Sequence, residues 1–479
     1  MGREGVASLN RKPSTHRFMK NNANLTRRTF LKLSMAGTAG ALALPTIVPS
    51  SVFGANAPSK VINIGQIGCG RIARDMDLPG IMRHDIASVV AVCDVDTKRL
   101  ADGKKLVEGY YAKRQKAVEV KTYADHRELL KDPKIDAVAI STPEHWHAEL
   151  IIAAALAGKD VYVQKPLTMT LREGRAVSDI VNAKKRAFQI GSQQRSGEQF
   201  RIACELVRSG RIGQLRTVKV GLPTDPAGGN PAEQPVPPNL NYDLWLGCAP
   251  KAPYCEERVH PQKDYSRPGW LRIETYCLGM ITGWGSHHVD IGHWGMNTEF
   301  TGPVEAEARA EFPKEGLWNV HGAYHIEMKY ANGVTMVIDN NFTNGIRFEG
   351  SEGWIFVSRG GARTTASDPA TAYGKALEAS DPKILTSKLG SNDTHLYVSK
   401  DHHLNWLESI QTRKPAVTTP EQAHRATSAC IIGWIAMKLG RKLRFDPVKE
   451  EFVGDAEANA MLTRAERAPF GALKLAKQA

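Results

Sequence analysis

The chain has 479 residues, of which 42% are apolar and 24% charged, so it can bury a sizeable core and has room for two or three domains. This composition excludes a disordered, collagen-like or disulfide-framework protein, and the seven cysteines form no CxxC or zinc-finger spacing. The formal charge is +13, but residues 1–57 hold eight basic residues and one acidic residue, which leaves 13 − 7 = +6 for the rest. So mild an excess, with no basic run among aromatics, gives no reason to expect a nucleic-acid partner.

The first 57 residues have the layout of an export signal. Arg27 and Arg28 precede an apolar run over residues 33–48, and small residues follow within 54–57. This order is typical of a secretory signal, and the paired arginines indicate the twin-arginine type. The alternative is an uncleaved anchor, but the run is shorter than the ~20 apolar residues that a span needs. We therefore expect the twin-arginine export machinery as a partner, a periplasmic location in a bacterium, and no membrane span after cleavage.

The next segment predicts a nucleotide-binding turn. Residues 61–67 form a β-branched run typical of a buried strand, and residues 68–73 follow directly with the sequence GCGRIA. In this G-x-G-x-x-A fingerprint, Gly68 permits the tight turn, Gly70 lets the backbone approach a pyrophosphate, and Ala73 lets the following helix pack closely. The pyrophosphate would bind at the N-terminus of that helix, where free N–H groups favour an anion.

A second predicted strand, residues 88–93, leads into Asp94, 26 residues after Gly68. An acidic residue there can accept hydrogen bonds from a ribose 2′-hydroxyl and would repel a 2′-phosphate. Asp94 therefore favours NAD over NADP, although Lys98 and Arg99 lie close by in the sequence. The alternative for Asp94 is an ordinary loop or helix-cap aspartate.

Strand and helix patterns then alternate as far as residue 190. Predicted strands cover residues 135–141, 160–163 and 187–190, and predicted helices cover residues 148–158 and 171–185. This alternation is typical of a doubly wound parallel sheet, so we expect a Rossmann domain over residues 58–190. The alternative is a plain α/β domain that binds no nucleotide.

The second half of the chain has a different pattern. An irregular Pro- and Gly-rich segment covers residues 221–275, and from it Arg267 and Trp270 are our candidate carbohydrate contacts, with loop packing as the alternative for each. The predicted antiparallel strands cover residues 304–312, 320–330, 333–340 and 355–357, and the predicted helices cover residues 402–411 and 421–439. We expect an α/β substrate domain over residues 191–447 and a tail over residues 448–479 that covers another element.

These motifs, in this order and spacing, are similar to those of the Gfo/Idh/MocA oxidoreductases, named for glucose-fructose oxidoreductase and inositol dehydrogenase. The motifs are IGCGRIA at 67–73, CDVD at 93–96, TPEHWH at 142–147, GKDVYVQKPL at 158–167, GWGSHHVD at 283–290, WLESI at 406–410 and PEQAHR at 420–425. The resemblance implies a Rossmann domain followed by an α+β domain with an open, mostly antiparallel sheet. It also implies a sugar or cyclic polyol bound between the two domains and, by analogy, a homo-oligomer.

The resemblance further assigns site residues. The lysine of the family's Glu-Lys-Pro motif corresponds to Lys165, and the histidine of its Asp-x-x-x-His motif to His287. Lys165 would stabilise a developing alkoxide and His287 would take or give the hydroxyl proton. Two carboxylates of the motifs are missing, because Gln164 replaces the glutamate and Gly283 the aspartate. The expected cofactor contacts are Gly68, Gly70, Arg71, Ile72, Asp94, Thr142, Pro143, His147 and Lys165, and the expected substrate contacts are Arg267, Trp270, His288 and Asp290. The alternative for His288 is a core histidine, and the alternative for Asp290 is to orient a histidine.

A metal is the alternative use of the cluster of His287, His288, Asp290 and His293. His288 and His293 are five residues apart, unlike the i, i+4 pair of zinc proteases, and we therefore predict no metal.

Three functions remain open, and the one we favour is an exported NAD-dependent oxidoreductase that acts on a CH–OH group of a sugar, glycoside or cyclic polyol. Its NAD would be bound during folding, retained, and reoxidised in place by a second substrate. The second is a redox-neutral NAD-dependent glycosidase that oxidises a ring hydroxyl transiently. The third is a non-catalytic sugar- or nucleotide-binding protein, with which the two missing carboxylates are consistent.

Overall fold

The computed structural model describes residues 61–361 and 375–479. The predicted export signal over residues 1–57 therefore lies outside the described residues. Within the described ranges, every helix is too short or too polar to cross a lipid bilayer.

The first domain is built on a six-stranded parallel sheet in the order β3-β2-β1-β4-β5-β6. Its strands are β1 (Ile62–Ile67), β2 (Ala87–Cys93), β3 (Lys121–Tyr123), β4 (Ala137–Ile140), β5 (Asp160–Val163) and β6 (Phe188–Ile190). Its helices are α1 (Leu78–Met82, after a π-helical turn at Ala73–Asp77), α2 (Thr97–Lys113), α3 (His126–Lys131), α4 (His147–Leu156) and α5 (Leu171–Ala183). This strand order is that of the Rossmann fold, so the predicted doubly wound parallel sheet is confirmed.

The order of the strands fixes where a ligand can bind. The chain leaves β1 toward one side of the sheet and leaves β4 toward the other, which makes the gap between their carboxyl ends the topological switch point. Strands β4 and β5 are buried along their whole length, as expected of a parallel sheet covered on both faces. The glycine-rich turn after β1 and the Thr142-Pro143 turn after β4 therefore face each other across one crevice.

The second domain contains a nine-stranded sheet in the order β13-β12-β11-β7-β10-β9-β8-β14-β15, in which the β7–β10 pair is parallel and the other pairs are antiparallel. The strands are β7 (Leu215–Gly221), β8 (Glu305–Ala310), β9 (Tyr324–Lys329), β10 (Thr335–Asp339), β11 (Gly345–Gly350), β12 (Trp354–Val357), β13 (Leu377–Ala379), β14 (Leu443–Asp446) and β15 (Glu451–Phe452). The predicted mostly antiparallel sheet is confirmed.

The remaining helices cover one face of this sheet or connect the two domains. They are α6 (Glu198–Arg208), α7 (Tyr242–Leu246), α8 (Met280–Gly283), α9 (Gly285–Met296), α10 (Pro382–Thr386), α11 (His402–Thr412), α12 (Pro420–Leu439), α13 (Ala456–Ala460) and α14 (Ala472–Ala476). Helices α6, α9 and α12 pack on the sheet, where Phe200, Val289 and Ile431 share one apolar core. Helix α11 packs instead on the Rossmann domain through Trp406, and the C-terminal tail does so through Phe470.

Candidate active site

A deep pocket opens at the switch point, between the Rossmann domain and the second domain. Its Rossmann wall consists of the residues that follow β1, β2, β4 and β5. Its other wall comes from the segment between β7 and α8, from helices α8 and α9, and from Arg359. Of the predicted site residues, the pocket brings together Gly68, Gly70, Arg71, Ile72, Asp94, Thr142, Pro143, Lys165, Arg267, Trp270 and His287.

The glycine-rich turn has the shape that a dinucleotide requires. Gly68 has a φ of +84°, and a Cβ on this residue would lie 2.7 Å from the carbonyl oxygen of Ser141. A Cβ on Gly70, in contrast, would have no atom within 4 Å. Gly68 is therefore needed for the turn itself, whereas Gly70 leaves open space at the helix N-terminus where a pyrophosphate would bind.

Asp94 lines the pocket at the end of β2, where the ribose of a bound dinucleotide would lie. Its Oδ2 accepts a hydrogen bond from the Cys69 N–H at 2.7 Å and its Oδ1 accepts one from the Asp96 N–H at 2.9 Å. Burial raises the pKa of this carboxyl group. Asp94 thus ties the glycine-rich turn to β2 and still presents a carboxylate that fits an NAD ribose and would repel a 2′-phosphate.

Arg99, one of the two basic residues that follow Asp94 closely in the sequence, lines the pocket but is held by the neighbouring loop. The Arg99 guanidinium donates to the carbonyl oxygens of Pro261 (2.7 Å) and Asp264 (3.1 Å), and it lies 4.3 Å from the ring centroid of Tyr265. These contacts hold the charge against the loop that follows β7. They favour NAD over NADP at this site.

The predicted irregular segment folds over the nucleotide crevice. The Thr97 N–H donates to the Asn239 carbonyl at 2.8 Å, and the Asn241 N–H donates to the Val95 carbonyl at 2.9 Å. Further along, the Tyr265 hydroxyl donates to Asp102 Oδ2 at 3.0 Å. The segment is therefore anchored to the β2–α2 connection at several points, and it places Trp270 in the pocket wall.

Lys165 and His287 reach the same pocket from the two domains. Lys165 follows β5, and its Nζ donates to the carbonyl oxygen of Gly283 at 2.8 Å. His287 lies near the start of α9, is 6% exposed, and has no hydrogen-bond partner for Nδ1 among the described residues. Burial, together with the cations Arg359 and Lys165, lowers the pKa of His287 well below its usual value. The site therefore pairs a cationic lysine with a neutral imidazole.

The replacement of the family glutamate by Gln164 has a structural counterpart. The Gln164 Nε2 donates to Asp77 Oδ1 at 2.8 Å, and Asp77 is fully buried in the π-helical turn after the glycine-rich loop. Asp77 also accepts a hydrogen bond from the Ser141 hydroxyl at 2.6 Å. The Asp77 carboxylate thus links the segments that follow β1, β4 and β5, although Asp77 itself is not part of the pocket wall.

Three predicted contacts do not lie in the pocket wall. His147 instead connects two turns, with Nδ1 2.7 Å from the Pro166 carbonyl oxygen and Nε2 3.0 Å from the Thr142 carbonyl oxygen. Its place in the structure is thus beneath the cofactor site, where it holds the residues that face the cofactor.

His288 and Asp290 follow His287 on α9, and each residue of a helix turns by about 100° from the one before. They therefore point into the core of the second domain. Asp290 pairs with Arg195 at 2.6 Å, and His288 Nε2 lies 2.8 Å from Asn344 Oδ1. The structure therefore places neither of these two predicted substrate contacts in the pocket wall. No group of three His, Cys, Asp or Glu side chains arranged for a metal occurs within residues 61–361 and 375–479.

The pocket also contains residues that the motifs did not single out, namely Glu144, Trp284 and Arg359. Arg359 stacks on Trp284, with 4.6 Å from its guanidinium carbon to the ring centroid. Arg267 is held by Asp225, which accepts a hydrogen bond from it at 2.9 Å. Glu144 belongs to the TPEHWH motif. Its position directly after a Thr-Pro at the end of a strand could have indicated a site residue.

The fold and this site define a dinucleotide-binding α/β protein with a second domain that closes the binding site. A model of the oxidoreductase family's NAD-binding Rossmann fold matches residues 62–192, and one of its C-terminal alpha/beta domain matches residues 228–365 and 387–472. The chain belongs to this Gfo/Idh/MocA family of NAD(P)-dependent oxidoreductases, and NAD is the cofactor of its first domain.

Individual relatives match over shorter stretches. A myo-inositol 2-dehydrogenase of Thermotoga maritima is 31% identical over 184 residues, 38% of this chain and 48% of that protein. A glycosyl hydrolase family 109 protein of Shewanella amazonensis is 28% identical over 210 residues, 40% of this chain and 45% of that protein. The chain thus spans about half the length of these curated relatives.

A solved structure shows the same fold over most of the chain. It is the WlbA dehydrogenase from Bordetella pertussis in complex with NADH and UDP-GlcNAcA, with a TM-score of 0.58 at 16% identity. The match covers 81% of this chain and 98% of that one.

Proposed function

We propose that the chain is an exported, NAD-dependent oxidoreductase that oxidises a CH–OH group of a sugar, glycoside or cyclic polyol. The observation that carries this proposal is the convergence of Lys165 and His287, from two different domains, on the pocket beside the glycine-rich turn. A cationic donor and a neutral imidazole are the groups that the oxidation of an alcohol needs next to a hydride acceptor.

Bound NAD would supply that hydride acceptor, and the chain supplies the rest. The ammonium group of Lys165 is held in place by the Gly283 carbonyl and can hydrogen-bond the substrate oxygen, where it stabilises the negative charge that develops during oxidation. The unprotonated His287 can accept a hydrogen bond from the substrate hydroxyl and orient it. Both groups lie in a largely apolar pocket, which strengthens their electrostatic effect.

The lining of the pocket supports a carbohydrate or polyol as the substrate. Trp270 and Trp284 offer ring faces, and Arg267 and Arg359 offer hydrogen-bond donors. The related myo-inositol dehydrogenase and glycosyl hydrolase family 109 protein bear names that fit the same substrate class. A charged and aromatic lining of this kind suits a polyhydroxylated ring better than an apolar substrate.

Export and cofactor retention form the second part of the proposal. The twin-arginine pattern at residues 27–28 supports export of the folded protein to the periplasm, where free NAD is not available. The segment anchored over the crevice by Asn239, Asn241 and Tyr265 supports retention of NAD acquired before export. The retained cofactor would be returned to its oxidised form by a second carbonyl substrate, and we further propose a homo-oligomer formed through the open sheet of the second domain.

A redox-neutral glycosidase is the second candidate, and the match to a glycosyl hydrolase family 109 protein favours it. The two candidates differ in their products. The oxidoreductase forms a keto-sugar together with reduced cofactor, whereas the glycosidase releases a free sugar and an aglycone without net reduction. Loss of catalysis, leaving only sugar or nucleotide binding, is the third outcome that an experiment has to test.

The experiment uses the full chain, purified without added nucleotide from both the cytoplasmic and the periplasmic fractions. The nucleotide released from the protein is identified by absorbance and mass. The intact protein is then mixed with a panel of sugars, glycosides and inositols. Light scattering measures the mass of the protein in solution and thus its oligomeric state. Bound NAD, a keto-sugar product and a periplasmic pool that depends on Arg27 and Arg28 are the expected results. Absence of bound and bindable NAD would refute the proposed function, and hydrolysis without keto-sugar would establish the glycosidase instead.

A further inference from the structure

Glu144 is a buried carboxylate in the same pocket as Lys165 and His287. It begins the short 3-10 turn Glu144–Trp146 directly after Thr142-Pro143, at the carboxyl end of β4. Its side chain belongs to the pocket wall, although the residue is only 2% exposed. Glu144 thus lies at the switch point, on the side of the crevice where the Rossmann wall meets α8.

The hydrogen bonds of Glu144 are incomplete. Its Oε1 accepts a hydrogen bond from the Cys277 thiol at 3.2 Å. The nearby Thr282 hydroxyl donates to the Gly279 carbonyl at 3.2 Å, and Glu144 Oε2 has no hydrogen-bond partner among the described residues. A buried carboxylate oxygen without a donor is costly in free energy, which makes it a place where a substrate hydroxyl or a proton would bind.

Burial brings the pKa of Glu144 close to neutral. Burial raises the pKa of the carboxyl group, while Lys165, the Cys277 and Thr282 side chains and Arg267 lower it in part, and the result is a pKa of about 7. The neighbouring Cys277 thiol stays protonated because burial and Glu144 raise its pKa. His287, by comparison, has a pKa well below 6.5. Of these side chains, Glu144 is the one best matched to exchange a proton near pH 7.

We propose that Glu144 is a catalytic residue, the base that receives the proton of the substrate hydroxyl, and that it replaces the carboxylate lost where Gly283 substitutes for the family aspartate. This inference rests on the proposed function and deepens it. In the oxidation, the hydroxyl proton passes to Glu144 Oε2, and the C–O bond becomes a carbonyl. Bound NAD in its oxidised form would accept the hydrogen of the adjacent C–H bond together with its electron pair, while Lys165 stabilises the charge on the oxygen.

The buried position of Glu144 suits a cofactor that is regenerated in place. Glu144 is 2% exposed, so a bound substrate would cover the proton that its carboxyl group has received. The same carboxylic acid can return it to the carbonyl oxygen of the second substrate when the cofactor is reoxidised. One residue then serves both half-reactions.

The test compares Glu144→Gln and Glu144→Asp with the matched control Glu149→Gln. Glu149 lies on α4 outside the pocket, and its Oε2 accepts a hydrogen bond from the Gly471 N–H at 2.8 Å. E144Q is expected to retain bound NAD but to lose about 10²–10⁴-fold in kcat. We expect kcat/KM of the wild type to fall below about pH 7, and E144Q should lose this fall. E144D should keep a pH-dependent limb, and E149Q should match the wild type.

A second readout does not depend on turnover. Infrared difference spectra of the NAD-bound wild type, with E144Q subtracted, should show a protonated carboxyl band that disappears around pH 7. Full activity of E144Q, or an acidic limb that persists in E144Q and vanishes in a His287→Asn variant, would overturn the proposal, and so would a Glu144 that is already ionised at pH 5. If the carboxyl band titrated near pH 7 but the wild type oxidised no sugar, the proposed function would be refuted, whereas the titration of Glu144 near pH 7 would be confirmed.

Discussion

Gly68 and Gly70 are two residues apart in the same turn, yet replacing each by alanine should have opposite consequences. At Gly68, φ is +84°, and the new Cβ would lie 2.7 Å from a backbone oxygen that cannot move aside. The left-handed conformation alone costs about 1–2 kcal/mol for an alanine, and the contact adds to this cost. We therefore expect G68A to lose at least about 2 kcal/mol of unfolding free energy.

At Gly70 the folded apoprotein has room for the extra methyl group, since a Cβ there meets no atom within 4 Å. The unfolding free energy of G70A should change by less than about 1 kcal/mol. That same space is where the pyrophosphate of NAD would bind, so the dissociation constant of NAD should rise at least about tenfold. Gly109→Ala is the matched control, because Gly109 also has open space but lies on α2 outside the pocket.

The assay combines denaturant unfolding of the apoproteins with NAD titration followed by protein fluorescence. G68A should unfold at lower denaturant, G70A should unfold like the wild type but bind NAD weakly, and G109A should bind NAD normally. Normal NAD binding by G70A would refute the placement of the pyrophosphate at this turn. A loss of stability in G70A as large as that in G68A would refute the assignment of open space to this position.

Three further predictions concern single carboxylates. Asp290→Asn should lower the unfolding free energy by about 3 kcal/mol while leaving the KM for the sugar unchanged, because Asp290 pairs with Arg195 away from the pocket; a raised KM at unchanged stability would contradict this. Burial raises the pKa of Glu421, but hydrogen bonds from Arg175 outweigh this and lower it to about 2. Ionised Glu421 therefore stabilises the folded state above its unfolded pKa of ~4.3, and this stabilisation is lost as the pH falls toward 2. Glu421→Gln should remove up to about 3 kcal/mol of this pH dependence, measured by unfolding between pH 6 and 2. Asp94→Ser should raise the affinity for NADP relative to NAD at least about tenfold, and an unchanged ratio in titrations with both would contradict the role of Asp94.

Local patterns were sufficient for much of the first domain. The strand predicted over residues 160–163 is β5 (Asp160–Val163), and the strand predicted over residues 61–67 is β1 (Ile62–Ile67). The glycine turn could be predicted because its conformation depends on its own residues. The sequence did not predict the elements between residues 97 and 131, which fold as α2, β3 and α3. Strand β3 is a short edge strand with exposed side chains, so it has no apolar pattern that would mark it.

The direction of side chains on a buried helix could not be predicted from the sequence. His287, His288 and Asp290 are adjacent in the sequence, but helix α9 turns them toward different neighbours. One of them faces the pocket, and the other two face Asn344 and Arg195. Because helix α9 is buried on all sides, its sequence has no polar stripe that would mark the face directed at the site.

Partners supplied by distant elements account for the rest of the site. Gln164 looked like the loss of a carboxylate, but its amide can donate a hydrogen bond, and the acceptor Asp77 lies 87 positions earlier in the chain. Gly283 likewise lacks a carboxylate, but its carbonyl binds Lys165, and the same pocket contains the carboxyl group of Glu144 from a distant segment of the chain. A charge can therefore disappear from a motif and be present in the site, because the site depends on which groups meet in space and a motif records only which groups are adjacent in the chain.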